Sequence, residues 1–172
     1  MKEEILTLCT QGFSELKQVL QKEKSWSNFD MDFELELVLF LGKHIDGVVQ
    51  PEENNWQNDI HKKLSWSSLH ISLLTKKINQ EPQYDLELFK IAPQNVEFAV
   101  FLYSNLLAMF MADNQISQEE QNFLAQVRQR FFPQGSQSIE AIEQKFETWG
   151  IPINLEDWYS QNSIIRLSLI HI

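Results

Sequence analysis

The chain has 172 residues, 43% of them hydrophobic, and only 5 Pro and 5 Gly, which is enough for one compact domain and too little for a long disordered linker. Its 24 acids against 14 Lys and Arg leave a net charge of −10 and a pI near 4.8. That balance argues against nucleic acid as a partner, because a sequence-independent grip on phosphates needs a basic surface. The lone Cys9 has no second cysteine to pair with, and the N-terminus opens Met-Lys-Glu-Glu, with charges where a signal peptide would hold its apolar core. Both point to a reducing cytoplasm.

Helical periodicity recurs along the chain and hairpin signals are missing. Ile5, Leu8, Gly12, Leu16, Val19 and Leu20 form one stripe, which predicts a first helix ending in the polar stretch 22–28. A second is expected from near Asp30 through Leu35, Leu37, Val38, Phe40 and Leu41 to about Ile45, closed by Gly47 in a left-handed cap. Pro51 suits the first turn of a third helix, where its missing N–H is harmless. That helix is expected to run through Trp56, Ile60, Leu64, Leu69 and Leu73 to Ile78, with a break at 65–68, and Pro82 stops it. A short helical piece at 84–91 and Pro93 lead into the most hydrophobic helix, about 94–112. Its apolar run from Phe98 to Ala112 falls short of the roughly 20 residues of a membrane span and carries Ser104 and Asn105 in its middle. A buried central helix is therefore expected, with no transmembrane segment and peripheral membrane association left open. Helices at 117–132, at 138–149 and from Leu155 bring the count to seven or eight, in an all-α chain without a sheet. The closing stretch 164–172 is apolar but broken by Arg166, Ser168 and His171, and is expected to dock on the domain or on a partner.

One octapeptide pattern occurs twice, 67 residues apart: Asp46-Gly-Val-Val-Gln-Pro-Glu-Glu53 and Asp113-Asn-Gln-Ile-Ser-Gln-Glu-Glu120. The apolar frame repeats at the same offset. Leu35 matches Leu102, Leu39 matches Leu106, Phe40 matches Leu107, Trp56 matches Phe123 and Ile60 matches Val127. A shared core pattern around a shared turn predicts a duplicated helix-turn-helix.

The stretch Ala-Asp113-Asn-Gln-Ile-Ser-Gln-Glu-Glu120, behind a helix ending Leu-Leu-Ala-Met-Phe-Met-Ala112, resembles the signature of the tellurite-resistance TerB-like domains. The likeness covers roughly residues 30–132. It implies an all-helical domain with an internal two-fold repeat; with one domain expected over 1–172, the motif-bearing core is at about 30–132 and the tail from Pro133, outside the motif, is a C-terminal helical extension at 133–172. It also implies a divalent-metal site, whose acidic positions fall on Asp46, Glu53, Asp113 and Glu120, in proteins linked to stress and metal resistance. Hard oxygen ligands of this kind suit Ca²⁺, Mg²⁺ or Mn²⁺. Here Asn114 stands for the usual Gly, and Lys43, His44 and Ile45 precede the first Asp where the family prefers small residues.

The same acids also have a purely architectural reading. Ser117-Gln-Glu-Glu120 is a capping box, and Asp-Gly and Asp-Asn are common turn formers. Two details speak against that reading. The aspartates would sit in the last turn of their helices, where the macrodipole disfavours a carboxylate, and Gln50 is a poor cap partner for Glu53. An EF-hand register fails, since it puts Met109 and Met111, or Gly42 and His44, at the first two ligand positions. A di-iron Glu-x-x-His pattern fails as well, because Leu41, Asn58, Ser67 and Ser168 stand three before the histidines.

No phosphate loop, Cys-His spacing or nucleophile elbow is present. Cys9 is expected to be packed, His61 and His70 to be surface or half-buried, and most Trp and Phe to anchor the core. The expectation is a non-enzymatic binding or scaffold domain with protein partners, holding a divalent cation through the four acids. The alternatives are a pure protein–protein interaction domain with structural acids, marked by an exposed apolar patch, and a metal-dependent hydrolase, which would need a titratable base beside the acids.

Overall fold

The computed structural model describes residues 2–81, 85–112 and 117–133. Among them lie seven α-helices and no strand: α1 (Lys2–Thr10), α2 (Phe13–Lys24), α3 (Asn28–His44), α4 (Pro51–Lys63), α5 (Ser68–Gln80), α6 (Val96–Met111) and α7 (Gln118–Phe131). Two one-turn 3-10 segments, Leu86–Leu88 and Ala92–Gln94, link α5 to α6. The all-α expectation holds. The helices expected at 138–149 and from Leu155, and the closing stretch 164–172, fall outside the described residues.

Two breaks divide the expected helices, one unforeseen at Gly12 and one within the expected 65–68, and each has a local cause. The first expected helix is two, because Gly12 takes φ +80°, a left-handed conformation that ends one helix and starts the next. The third divides where its break was expected. Ser65 turns left-handed at φ 57°, and the Ser67 hydroxyl accepts the His70 N–H at 3.1 Å to cap α5. Ser27 caps α3 and Asn95 caps α6 in the same way, through Asp30 N–H at 3.1 Å and Phe98 N–H at 2.9 Å.

α3 and α6 pack along each other as the central pair, with α1 across α4 and α6, α2 and α5 on α3, and α7 on α6. Every residue of α6 from Phe98 to Phe110 is buried, including Ser104 and Asn105. The Asn105 amide donates to the carbonyls of Phe101 and Cys9, each at 3.0 Å, and so ties the end of α1 to the central helix. The polar pair that argued against a membrane span is thus spent inside the protein. No helix of the described residues is long and apolar enough to cross a membrane.

The helix boundaries carry the duplication. α3 and α6 end at His44 and Met111, and α4 and α7 begin at Pro51 and Gln118, each pair spaced like the octapeptides. Gly42, near the end of α3, packs close against α6: a Cβ there would lie 2.5 Å from Leu106 Cδ1 and 3.1 Å from Met109 Cε, the latter on the residue that matches Gly42 in the second repeat. Gly42→Ala is expected to destabilise the fold by up to about 2 kcal/mol, since the 2.5 Å approach calls for the upper part of an overpacking cost of about 1–3 kcal/mol, against roughly 1 kcal/mol gained in helix propensity. A urea midpoint at or above the native one would contradict this.

Candidate functional site

Three of the four acids of the repeated motif can be placed. Asp46 lies two residues beyond the end of α3 rather than in its last turn, still beside the helix's negative pole. Its Oδ1 accepts the Val48 N–H at 3.0 Å, an Asx turn that leads through Gly47 at φ +76°. Glu53 is 2% exposed, and its Oε1 accepts the Gln50 N–H at 3.0 Å. The local role that seemed weak for Glu53 from the sequence is therefore present. Glu120 and Ser117 cap reciprocally, Ser117 N–H to Glu120 Oε1 at 2.8 Å and Glu120 N–H to Ser117 Oγ at 3.1 Å. Asp113 lies outside the described residues. Among the described residues, no three His, Cys, Asp or Glu side chains gather as a metal-holding group.

A second set of acids, which sequence reasoning passed over, is more deeply buried. Asp32, Glu34 and Glu36 lie in the middle of α3, at 4%, 3% and 2% exposure. Residues four apart share a helix face, so Asp32 and Glu36 point one way and Glu34 another. Asp32 receives Lys17 of α2 at 3.0 Å and His70 of α5 at 2.9 Å. The Glu34 carboxylate accepts three backbone N–H groups, those of Lys90, Ile91 and Ala92, at 3.0, 2.8 and 3.1 Å. Burial nevertheless pushes its pKa up, with those three bonds pulling it back.

Glu36 holds α4. Its Oε2 stands 2.6 Å from His61 Nε2, an ion-pair distance without the angle of a good hydrogen bond, and its Oε1 accepts the Gln57 amide. Lys43 donates to Gln57 Oε1. Burial draws the Lys43 ammonium down, while the negative charges of Glu36 and Glu53 raise it again, so the buried Glu53 has a cation in its neighbourhood. The Trp66 ring stacks on His61 at 5.3 Å and meets His70 edge-on at 5.3 Å, wedging the two histidines apart. His61, expected to be surface or half-buried, is thus buried, and His70 is half-buried as expected. The signal lay in α3 itself, where Asp-Phe-Glu-Leu-Glu interrupts an otherwise apolar run.

The second repeat builds the same crossbar from other chemistry. At the octapeptide offset, Glu36 matches Tyr103 and His61 matches Arg128, and Arg128 Nη1 donates to the Tyr103 hydroxyl in the fully buried interior. Burial pushes the Tyr103 hydroxyl pKa up and the neighbouring guanidinium pulls it back. Each repeat therefore joins its first helix to its second through one buried polar bridge at the same position.

The surface offers two apolar features. Leu69 and Leu73, one turn apart on α5, are 70% and 47% exposed, although the sequence placed them in an apolar stripe. A groove of about 450 Å³ between α2 and α6 is lined by Leu16, Val19, Val96, Val100 and Phe101, with Glu15 and Glu97 among its walls. Fold and site together define an all-α domain built on a repeated helix pair, its buried carboxylates acting as ties between helices. No family model, curated protein or solved structure matches the chain.

Proposed function

We propose that this chain is a non-enzymatic binding or scaffold domain of TerB-like character, and that its partner is an acidic amphipathic helix of another protein, received on the outer face of α5. The exposed Leu69 and Leu73 carry the reading, since large apolar side chains paired on one helix face are a docking feature. Charge supports it. α5 is the one α-helix among the described residues without an acid, and Lys76 stands exposed a turn beyond Leu73 on the same side, in a chain whose net charge is −10. The probe is a synthetic helical peptide with leucines at i and i+4 flanked by glutamates. It is expected to bind the native chain, and Leu69→Ser with Leu73→Ser to weaken it at least about tenfold. Equal binding by the double variant, or by a peptide with lysines for the glutamates, overturns the proposal.

The divalent cation that the TerB resemblance implies has its own test. Thermal unfolding with Ca²⁺, Mg²⁺ or Mn²⁺ at 100 times the dissociation constant would show a stabilisation of about 2.7 kcal/mol that is lost in Asp46→Ala, Asp113→Ala. An unchanged native transition, or the same shift in the variant, removes the cation and leaves the acids as turn and cap residues.

A further inference from the structure

α2 faces the first turns of α6, and the groove between them is built from two short apolar rows. Leu16 and Val19 stand three apart on α2, Val96 and Val100 four apart on α6, so each pair shares a helix face. Phe101, 3% exposed, lines the same groove, and its ring stacks on Phe13 at 4.5 Å and 10°, which fixes the start of α2 on α6. The groove is therefore preformed, and Val19 and Val96 along it are 47% and 46% exposed.

Its ionisable lining is two glutamates, Glu15 and Glu97. Both are exposed, and neither forms an ion pair among the described residues, whereas Glu3, Asp30, Asp32 and Glu87 each hold a cation. Lys17, two residues from Glu15, is engaged by Asp32 at 3.0 Å and lies 4.6 Å from the Phe13 ring centre. Each glutamate sits in the first turn of its helix, where the N-terminus contributes about half a positive charge. Two carboxylates against two such poles leave roughly one negative charge beside the apolar rows. That balance calls for a single cationic group, and a helix with several lysines would bring an excess. The volume of about 450 Å³ lies within the roughly 300–1,000 Å³ of small-molecule clefts, which are mostly apolar with a few polar groups that fix orientation.

We propose that the α2–α6 groove binds an amphiphilic monocation, an alkyl or aryl body that ends in one ammonium group. The body lies along Leu16, Val19, Val96 and Val100, and the ammonium is held by Glu15 and Glu97. The site goes beyond the helix docking proposed for α5 and does not depend on it, since none of the groove's lining residues belongs to α5.

The test is methyl NMR on the full chain titrated with n-octylamine, and with octanol and octanoate as probes of the same length that carry no charge or the opposite one. The amine is expected to shift the Val19, Val96 and Val100 methyls and to bind at least about threefold more tightly than octanol at low salt, as two exposed ion contacts allow, with octanoate the weakest. Glu15→Gln with Glu97→Gln is expected to abolish that preference and to leave octanol binding unchanged, and because both side chains are exposed the fold is kept. Leu69→Ser with Leu73→Ser is expected to change none of these affinities, which separates the groove from α5. Equal affinity for amine and octanol, a preference that survives in the glutamine variant, shifts centred on Leu69 and Leu73, or binding that fades as the protein concentration rises, which would mark a second copy as the occupant, each overturns the proposal.

Discussion

Glu34→Ala is expected to cost about 3–5 kcal/mol, read as a lower urea midpoint with an unchanged slope. The carboxylate is 3% exposed and is the acceptor for three consecutive backbone N–H groups, of Lys90, Ile91 and Ala92. An alanine leaves those donors without that acceptor, two of them on the buried Ile91 and Ala92, and each buried unsatisfied donor costs about 1–3 kcal/mol. Glu34→Gln keeps one carbonyl oxygen and the shape, so about half the loss is expected. A loss below about 1 kcal/mol for the alanine variant would show that the 90–92 backbone finds other acceptors and that α3 does not hold it.

The same residue makes stability depend on pH in an uncommon direction. Burial raises its folded pKa above the ordinary glutamate value of about 4.3, so between that value and the raised one the folded chain holds a proton the unfolded chain has lost. Stability from this group is complete below the ordinary value and falls as pH rises through the raised one. Most paired carboxylates act the other way. Subtracting the Glu34→Gln profile isolates the term. The native-minus-variant difference in unfolding free energy should decline on going from acid towards neutral pH, and a difference that grows would mean that the three N–H bonds outweigh burial.

The helices were legible where a periodic apolar face coincided with a cap or a Pro. Pro51 and Gly47 mark the turn after α3 in the sequence and in the fold alike. The one missed break arises from a left-handed backbone at Gly12, inside a stripe whose periodicity carries straight through it, whereas the break at 65–68 is marked by serines in the sequence and falls there in the fold. The repeat was legible because the core pattern and the turn acids recur together, and the helix ends then fall at the same offset. The polar ties were not, for a different reason. His61 and His70 find acids far away in sequence, Glu36 and Asp32, and such pairings depend on how α4 and α5 pack rather than on any local spacing. Glu53 is hard to read because position 50 lacks a Ser, Thr, Asp or Asn, yet its carboxylate takes the Gln50 backbone N–H, which any residue but Pro supplies.

Removing either side of the Glu36–His61 bridge is expected to cost about 3 kcal/mol, because each leaves the other polar group buried without its counterpart. The second repeat shows how the same helix pair is joined with other residues. Tyr103 stands at the Glu36 position, Arg128 at the His61 position and Leu124 at the Gln57 position. If the repeats are equivalent scaffolds, Glu36→Tyr, His61→Arg and Gln57→Leu together should recover more than half of their summed single losses, since contacting residues within one network do not add. Chance likeness of the two helix pairs predicts the opposite, because a tyrosine and an arginine placed in an unrelated interior would overpack it and strand a charge. Urea unfolding of the three single variants and the triple variant separates the two. A triple loss equal to or above the sum would break the equivalence on which the duplicated architecture rests.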